Sequence, residues 1–246
     1  MRNTSAMAHL AAPVLAAIVL LVGSGATPPP AAVPAVVAPV AAVPATGHPT
    51  QGSVPAPADE APRTVLLIGD SQSEPADSWT RRGLAAAGYQ VHFCGRGGTG
   101  FVAASAAADN YVKALRDGDW NLPAAAPDLI VIQGGGNDAA QGASDSQIAA
   151  NADQLIAGLK QRYPESEMAM IGTLSRAAND GGGRRSQVDA LLGKVAADHK
   201  LPFVSVGDWL TRYGLAKDLA DSVHMNAAGR EALGTLLEGR LQDLDL

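Results

Sequence analysis

Three side chains that lie far apart in the sequence, Ser71, Asp221 and His224, are of the types that acyl transfer requires. A serine hydroxyl is a weak nucleophile until a base takes its proton. Imidazole titrates near neutrality and can both accept and return a proton, which makes His224 the candidate base. Asp221 precedes it by three residues, a spacing that lets one turn present both side chains on the same side. An acid so placed holds the ring and stabilises the imidazolium. Attack on a carbonyl also creates an oxyanion, which needs fixed donors. The candidates are the backbone N–H of Ser71, that of a glycine in the stretch "GRGGTG" (95–100), and the Asn137 amide in "GGGND" (134–138). Glycine suits such a place because no Cβ keeps the backbone away.

These residues need a scaffold that brings them together. Short apolar runs alternate with longer segments carrying Leu, Ala and Ile at three- and four-residue spacing. The runs Thr64–Ile68, Gln90–Cys94, Asp128–Gln133, Glu167–Ile171 and Pro202–Val206 predict five strands. The segments 75–87, 102–116, 144–163, 184–199 and 227–241 predict helices, with Ser73 or Glu74 as the cap before Pro75. Continuous apolar strands belong to a parallel sheet covered on both faces, and right-handed crossovers then give a three-layer α/β/α sandwich. Ligands in such folds bind beyond the carboxyl ends of the strands. Ser71, the 95–100 glycines and Asn137 all fall there. Gly69 keeps the first turn tight, while Asp70 and Asp138 are read as carboxylates that tie loops down.

The blocks "GDSQS", "GGTG", "GGND" and "DSVH", in that order and spread over residues 64 to 246, resemble those of the SGNH, or GDSL, hydrolase family. Each block alone has an ordinary explanation as a cap or turn, whereas all four in order are specific. The resemblance implies Ser71 as nucleophile, Asp221 and His224 completing the triad, and Ser71, Gly98 and Asn137 forming the oxyanion hole. The glycine-rich turn permits a one-residue shift to Gly97. It further implies a flavodoxin-like fold with a five-stranded parallel sheet, a carboxylic ester substrate (small acyl, lipid or O-acetyl), and no metal or organic cofactor.

Composition sets the surroundings. Residues 1–26 have an apolar run, Leu10–Gly23, followed by small residues, the layout of a secretory signal peptide cut after Ala26. An uncleaved N-terminal anchor is the alternative, although the run is short of the ~20 residues that span a bilayer. Residues 27–62, rich in Ala, Pro and Val, read as a disordered linker, leaving 63–246 as the hydrolase domain of a secreted or envelope-associated protein. A single cysteine, Cys94, excludes an intramolecular disulfide and reads as a buried small hydrophobe. The formal charge of −6 argues against nucleic acid. The expected partner is a small-molecule or cell-envelope acyl ester, with no stable protein partner.

Rival chemistries fit poorly. The G-x-S-x-G elbow of α/β-hydrolases is broken by Ser73 in place of its second glycine, and Ser71 follows the first strand rather than a later one. The glycine runs lack the G-K-[S/T] ending of a phosphate loop, and His92, His199 and His224 lack zinc-ligand spacing. The other reading is a non-catalytic exported binding domain on the same fold. Around the site, Trp79 is a candidate lining residue for the acyl pocket, with core packing as the alternative. Arg176, Arg184 and Arg185 are candidates to attract an acidic group, although an ordinary solvated loop is the simpler reading. Aromatic residues are 4% of the chain, few for stacking along a polysaccharide.

Overall fold

The computed structural model describes residues 62–246. The signal-peptide and linker readings fall on residues outside this range. Five parallel strands form one sheet in the order β2-β1-β3-β4-β5: β1 Arg63–Gly69, β2 Tyr89–Gly95, β3 Leu129–Gln133, β4 Glu167–Ile171 and β5 Phe203–Val204. The chain runs from β1 outward to β2 and then back to β3 on its other side. In sheets of this kind ligands bind at that reversal, here beyond the carboxyl ends of β1 and β3.

Side-chain alternation explains why the strands read as unbroken apolar runs. Val65, Leu67, Leu129, Val131 and Ile171 point to one face, where they pack with Trp79 and Leu84 of α1 (Trp79–Ala86) and with Leu233 and Leu237 of α7 (Ala227–Gln242). Leu66, Ile68, Ile130, Ile132 and Met170 point to the other. There they meet Tyr111 of α2 (Tyr111–Asp117), Ile148 and Leu155 of α4 (Asp145–Arg162), and Val188 and Leu192 of α5 (Gly183–Asp198). The central strands β1, β3 and β4 therefore bury both faces, while the edge strand β2 stays partly exposed, giving the three-layer α/β/α sandwich.

Several element boundaries differ from the sequence expectation. The first helix starts at Trp79 rather than Pro75, and its cap is Ser78, whose Oγ accepts from the Arg81 N–H. Ser73 is instead fully buried and donates through its Oγ to Gln133 Oε1 at 2.8 Å. The second helix starts at Tyr111 rather than Val102, because the N–H groups of Phe101, Val102 and Ala103 all donate to the Asp138 carboxylate (3.1, 2.7 and 2.8 Å). Two short helices, α3 (Gly136–Ala140) and α6 (Trp209–Arg212), stand where only loops are expected.

Candidate active site

Ser71 is delivered by β1. Its strand ends at Gly69, where a Cβ would lie 2.6 Å from the Ser73 Cβ, so the turn closes only around glycine. Asp70 then accepts at Oδ1 from the Gln72 N–H (2.9 Å), and its carbonyl accepts from Ser73 N and Glu74 N, both at 2.9 Å. These bonds wind the chain tightly just past Ser71.

His224 and Asp221 arrive together on the loop before α7. An isolated antiparallel bridge between Leu219 and Met225 closes this loop, and Ala220 N–H donates to the His224 carbonyl at 2.8 Å. Asp221 Oδ1 accepts from the N–H groups of Val223 (2.8 Å) and His224 (2.7 Å), and Oδ2 faces His224 Nδ1 at 2.7 Å. The backbone N–H of His224, then that of Val223, then the imidazole hold the Asp221 carboxyl well below the usual carboxylate range. An ionised carboxylate only accepts, so Nδ1 carries a hydrogen, and in the neutral ring Nε2 is left to present its lone pair. Nε2 lies 2.8 Å from Ser71 Oγ. The pair is open to solvent, with side-chain exposures of 41% for His224 and 54% for Asp221.

The donor side is built by two loops. Among the described residues, neither the Ser71 N–H nor the Gly98 N–H has an acceptor in the chain. Gly97 differs: its N–H donates to Glu74 Oε2 at 2.8 Å, and a Cβ there would lie 3.4 Å from the Ser71 Cβ. Gly98 has φ +81°, a left-handed conformation that favours glycine. Asn137 sits in the first turn of α3, its Nδ2 donating to the Thr99 carbonyl at 2.9 Å and to Asp70 Oδ2 at 3.4 Å. The second contact is long enough to leave that hydrogen nearly uncommitted. Glu74, which sequence reasoning offered only as a helix cap, thus decides which glycine is free. Its partner is 23 residues away, so no local pattern reveals it.

The other candidates are used differently. Trp79 is buried and packs against Trp209 at a centroid distance of 6.3 Å, which rules it out as an acyl-pocket lining. Arg184 pairs with Asp145 (2.6 Å), and Arg185 donates to the carbonyls of Leu174 and Gly136, so neither is free for an acidic ligand. Arg176 is exposed. Cys94 is buried, and burial pushes its thiol up to about 11.

Asp70 is only 2% exposed, and burial pushes its carboxyl up to about 6, opposed by the Gln72 N–H and the charge of Arg185. A carboxyl with a raised folded pKa is penalised when ionised, fully above pH 6, and the penalty is relieved as pH falls toward the ordinary value of 3.8. The two-unit difference corresponds to on the order of 3 kcal/mol. Asp70→Asn, whose amide oxygen still accepts from the Gln72 N–H but whose NH₂ then meets Asn137 Nδ2, exchanges the burial penalty for a donor clash and is expected to stay within about 1–2 kcal/mol of the parent at pH 7. Its stability is also expected to vary less between pH 4 and 6. Urea unfolding at both ends of that range measures this, and an unchanged pH slope would show that Asp70 is not the group responsible.

Residues 59–232 match the model of the GDSL-like lipase/acylhydrolase family. A multidomain esterase of Ruminococcus flavefaciens is 30% identical over 143 residues, covering 54% of this chain but only 18% of that protein. A carbohydrate esterase family 2 enzyme from Corynascus thermopiles (Myceliophthora fergusii) superposes with a TM-score of 0.59 at 19% identity, over 78% of this chain and 69% of that one. A carbohydrate acetylesterase from Sinorhizobium meliloti does so with 0.54 at 18% identity, over 74% and 99%. At those identities the structural likeness speaks for the fold. With more than half its length under the family model, this chain belongs to the GDSL-like lipase/acylhydrolase family.

Proposed function

We propose that this protein is a serine esterase that works through Ser71, His224 and Asp221. The observation that carries the reading is the unbroken relay from Ser71 Oγ to His224 Nε2 (2.8 Å) and from His224 Nδ1 to Asp221 Oδ2 (2.7 Å). Ser71 Oγ attacks the ester carbonyl while His224 Nε2 takes its proton. The oxyanion gathers the free N–H groups of Ser71 and Gly98 and the loosely held Asn137 hydrogen. Collapse expels the alcohol, which leaves with the proton from His224, and an acyl-Ser71 ester remains. Water, deprotonated by the same nitrogen, then releases the acid and restores the serine. Gly98 is favoured over Gly97 because the Gly97 N–H is already engaged by Glu74.

A short acyl group on a polar alcohol suits this site better than aggregated lipid. Enzymes that work at lipid surfaces present an apolar patch, whereas Tyr213 is the one large hydrophobic side chain exposed among the described residues. A cleft of about 580 Å³ beside the Gly95–Gly100 turn is lined by the polar and charged side chains Arg96, Thr99, Ser105, Asp109 and Asp119 together with small alanines and Trp120. The relatives described as esterases of carbohydrates agree with that choice.

With p-nitrophenyl esters of increasing chain length, kcat/KM is expected to be highest for acetate and to fall at least tenfold by octanoate. A fluorophosphonate is expected to label Ser71 alone, as read by peptide mass spectrometry. Rates that climb with chain length would overturn the substrate reading, and labelling elsewhere would overturn the nucleophile.

A further inference from the structure

We propose that Gln72 is a positioning residue: it clasps the acid–base loop to the nucleophile turn and so sets the Ser71–His224 distance. The inference rests on the triad reading above and goes beyond it to a residue that touches no reacting atom. Gln72 follows Ser71 directly and is 7% exposed. Its Nε2 donates to the Val223 carbonyl at 2.8 Å, 151 residues away and one residue before His224. Its Oε1 accepts from Trp79 Nε1 at 3.1 Å.

The two contacts are not interchangeable. An indole N–H can only donate, so the amide must turn its oxygen toward Trp79 and its NH₂ toward Val223. Trp79 is 1% exposed and is fixed in turn by its packing against Trp209, so it cannot swing away to release the amide. The backbone of Gln72 is pinned as well, through its N–H to Asp70 Oδ1. A rigid core residue thus orients an amide, and the amide holds the loop.

The loop needs such a hold. Residues 220–224 carry the most exposed members of the site, and their other hydrogen bonds stay within the loop: Asp221 to Val223 and His224, and Ala220 to His224. Among the described residues, two hydrogen bonds join 220–224 to the rest of the protein, the Ser71–His224 contact and the Gln72–Val223 bond. The first must break and re-form in every catalytic cycle, because the hydroxyl loses its proton. The second persists through the cycle and keeps Nε2 within reach of Oγ while the acyl group comes and goes. A displacement of about 1 Å at a reacting pair lowers rates by as much as two orders of magnitude.

The test uses the full-length protein, p-nitrophenyl acetate as substrate and hydrogen–deuterium exchange of the peptide spanning 219–226. Gln72→Leu removes both polar ends at similar volume, and Gln72→Glu sets a carboxylate oxygen against the Val223 carbonyl. Both are expected to lower kcat about tenfold or more with KM changed less than twofold, and to speed exchange in the 219–226 peptide. Trp79→Phe removes the N–H together with the pyrrole half of the indole, freeing the amide to turn while a smaller aromatic ring stays in the core. An intermediate loss of two- to fourfold is expected there, and it is the variant to measure if the Gln72 variants do not fold. A folded Gln72→Leu protein with parental kcat and parental exchange would overturn the clasp, as would a rise in KM with kcat unchanged. Faster exchange without loss of rate would confine Gln72 to a structural role and overturn it equally. Ser71→Ala is run alongside: if the parent rate survives that substitution, the triad reading has failed, and the exchange data then report on the loop alone.

Discussion

Ser71→Ala is expected to lower kcat for p-nitrophenyl acetate by about 10⁴-fold or more, since the residual rate then comes only from binding and oxyanion donors. The hydroxyl's one hydrogen bond is to His224, and Ser71 is partly exposed, so its removal disturbs little else. Thermal stability is expected to stay within about 0.5 kcal/mol of the parent, as for a surface substitution away from special features. This separation of activity from stability is what distinguishes a nucleophile from a structural serine such as Ser73, which is fully buried and bonded to Gln133. His224→Ala is expected to cost about as much, and the double variant scarcely more than either single one. Groups that act in one proton relay fail together, so their effects do not add. Hydrolysis by Ser71→Ala within tenfold of the parent would place the nucleophile elsewhere. It would also revive the reading of a binding domain on a hydrolase fold.

The second large effect is on stability and comes from Asp138. This carboxylate is fully buried and takes three backbone N–H groups from Phe101, Val102 and Ala103. Asp138→Ala leaves all three without an acceptor in the interior. At 1–3 kcal/mol for each unsatisfied group, and with some relief from local rearrangement, the expected loss is about 3–5 kcal/mol. For a domain of this size that lowers Tm by roughly 10–15 °C. Asp138→Asn separates the contributions. Two of the bonds go to Oδ1 and one to Oδ2, so an amide oriented by the first two keeps them and sets its NH₂ against the Phe101 N–H. A loss of about 1–2 kcal/mol is expected for that variant. Calorimetry of the two proteins checks the ranking, and equal losses would show that charge, not hydrogen bonding, is what the carboxylate supplies. Activity is expected to fall in the alanine variant too, because Asn137 adjoins Asp138 and the Gly100 backbone lies against its carboxylate.

Asp138 also explains where the sequence was readable and where it was not. Strands β1, β3 and β4 are legible because two-sided burial leaves runs of Val, Ile, Leu, Met and Ala, and the expected Glu167–Ile171 matches β4 to the residue. Ser71, Asp221 and His224 could be proposed as a triad from sequence because the chemistry demands particular side chains and Asp221 and His224 share one turn. The start of the second helix was hidden because residues 101–103 spend their N–H groups on a carboxylate some 35 residues later, a choice no local propensity records. The last strand was read as Pro202–Val206, yet only Phe203–Val204 pairs. Ser205 Oγ and Val206 N–H turn instead to the buried Asp189 carboxylate at 2.6 and 3.2 Å. The helix Gly136–Ala140, which carries Asn137, is too short to show a period, so its glycines read as a turn. The second helix and the last strand share a cause: long-range polar bonds made by buried side chains overrode local pattern.

The loop that bears Asp221 and His224 closes on itself through the Leu219–Met225 bridge and the two N–H bonds to Asp221. Asp221 and His224, the proposed acid and base, therefore travel as one cartridge. The contact between the Asp221 carboxylate and the His224 ring stays intact wherever the cartridge sits, and its offset from Ser71 remains to be tuned. Natural variation can move that offset through neighbouring contacts without rebuilding the proton relay. A site with one joint is correspondingly easy to slow, to quicken, or to switch off.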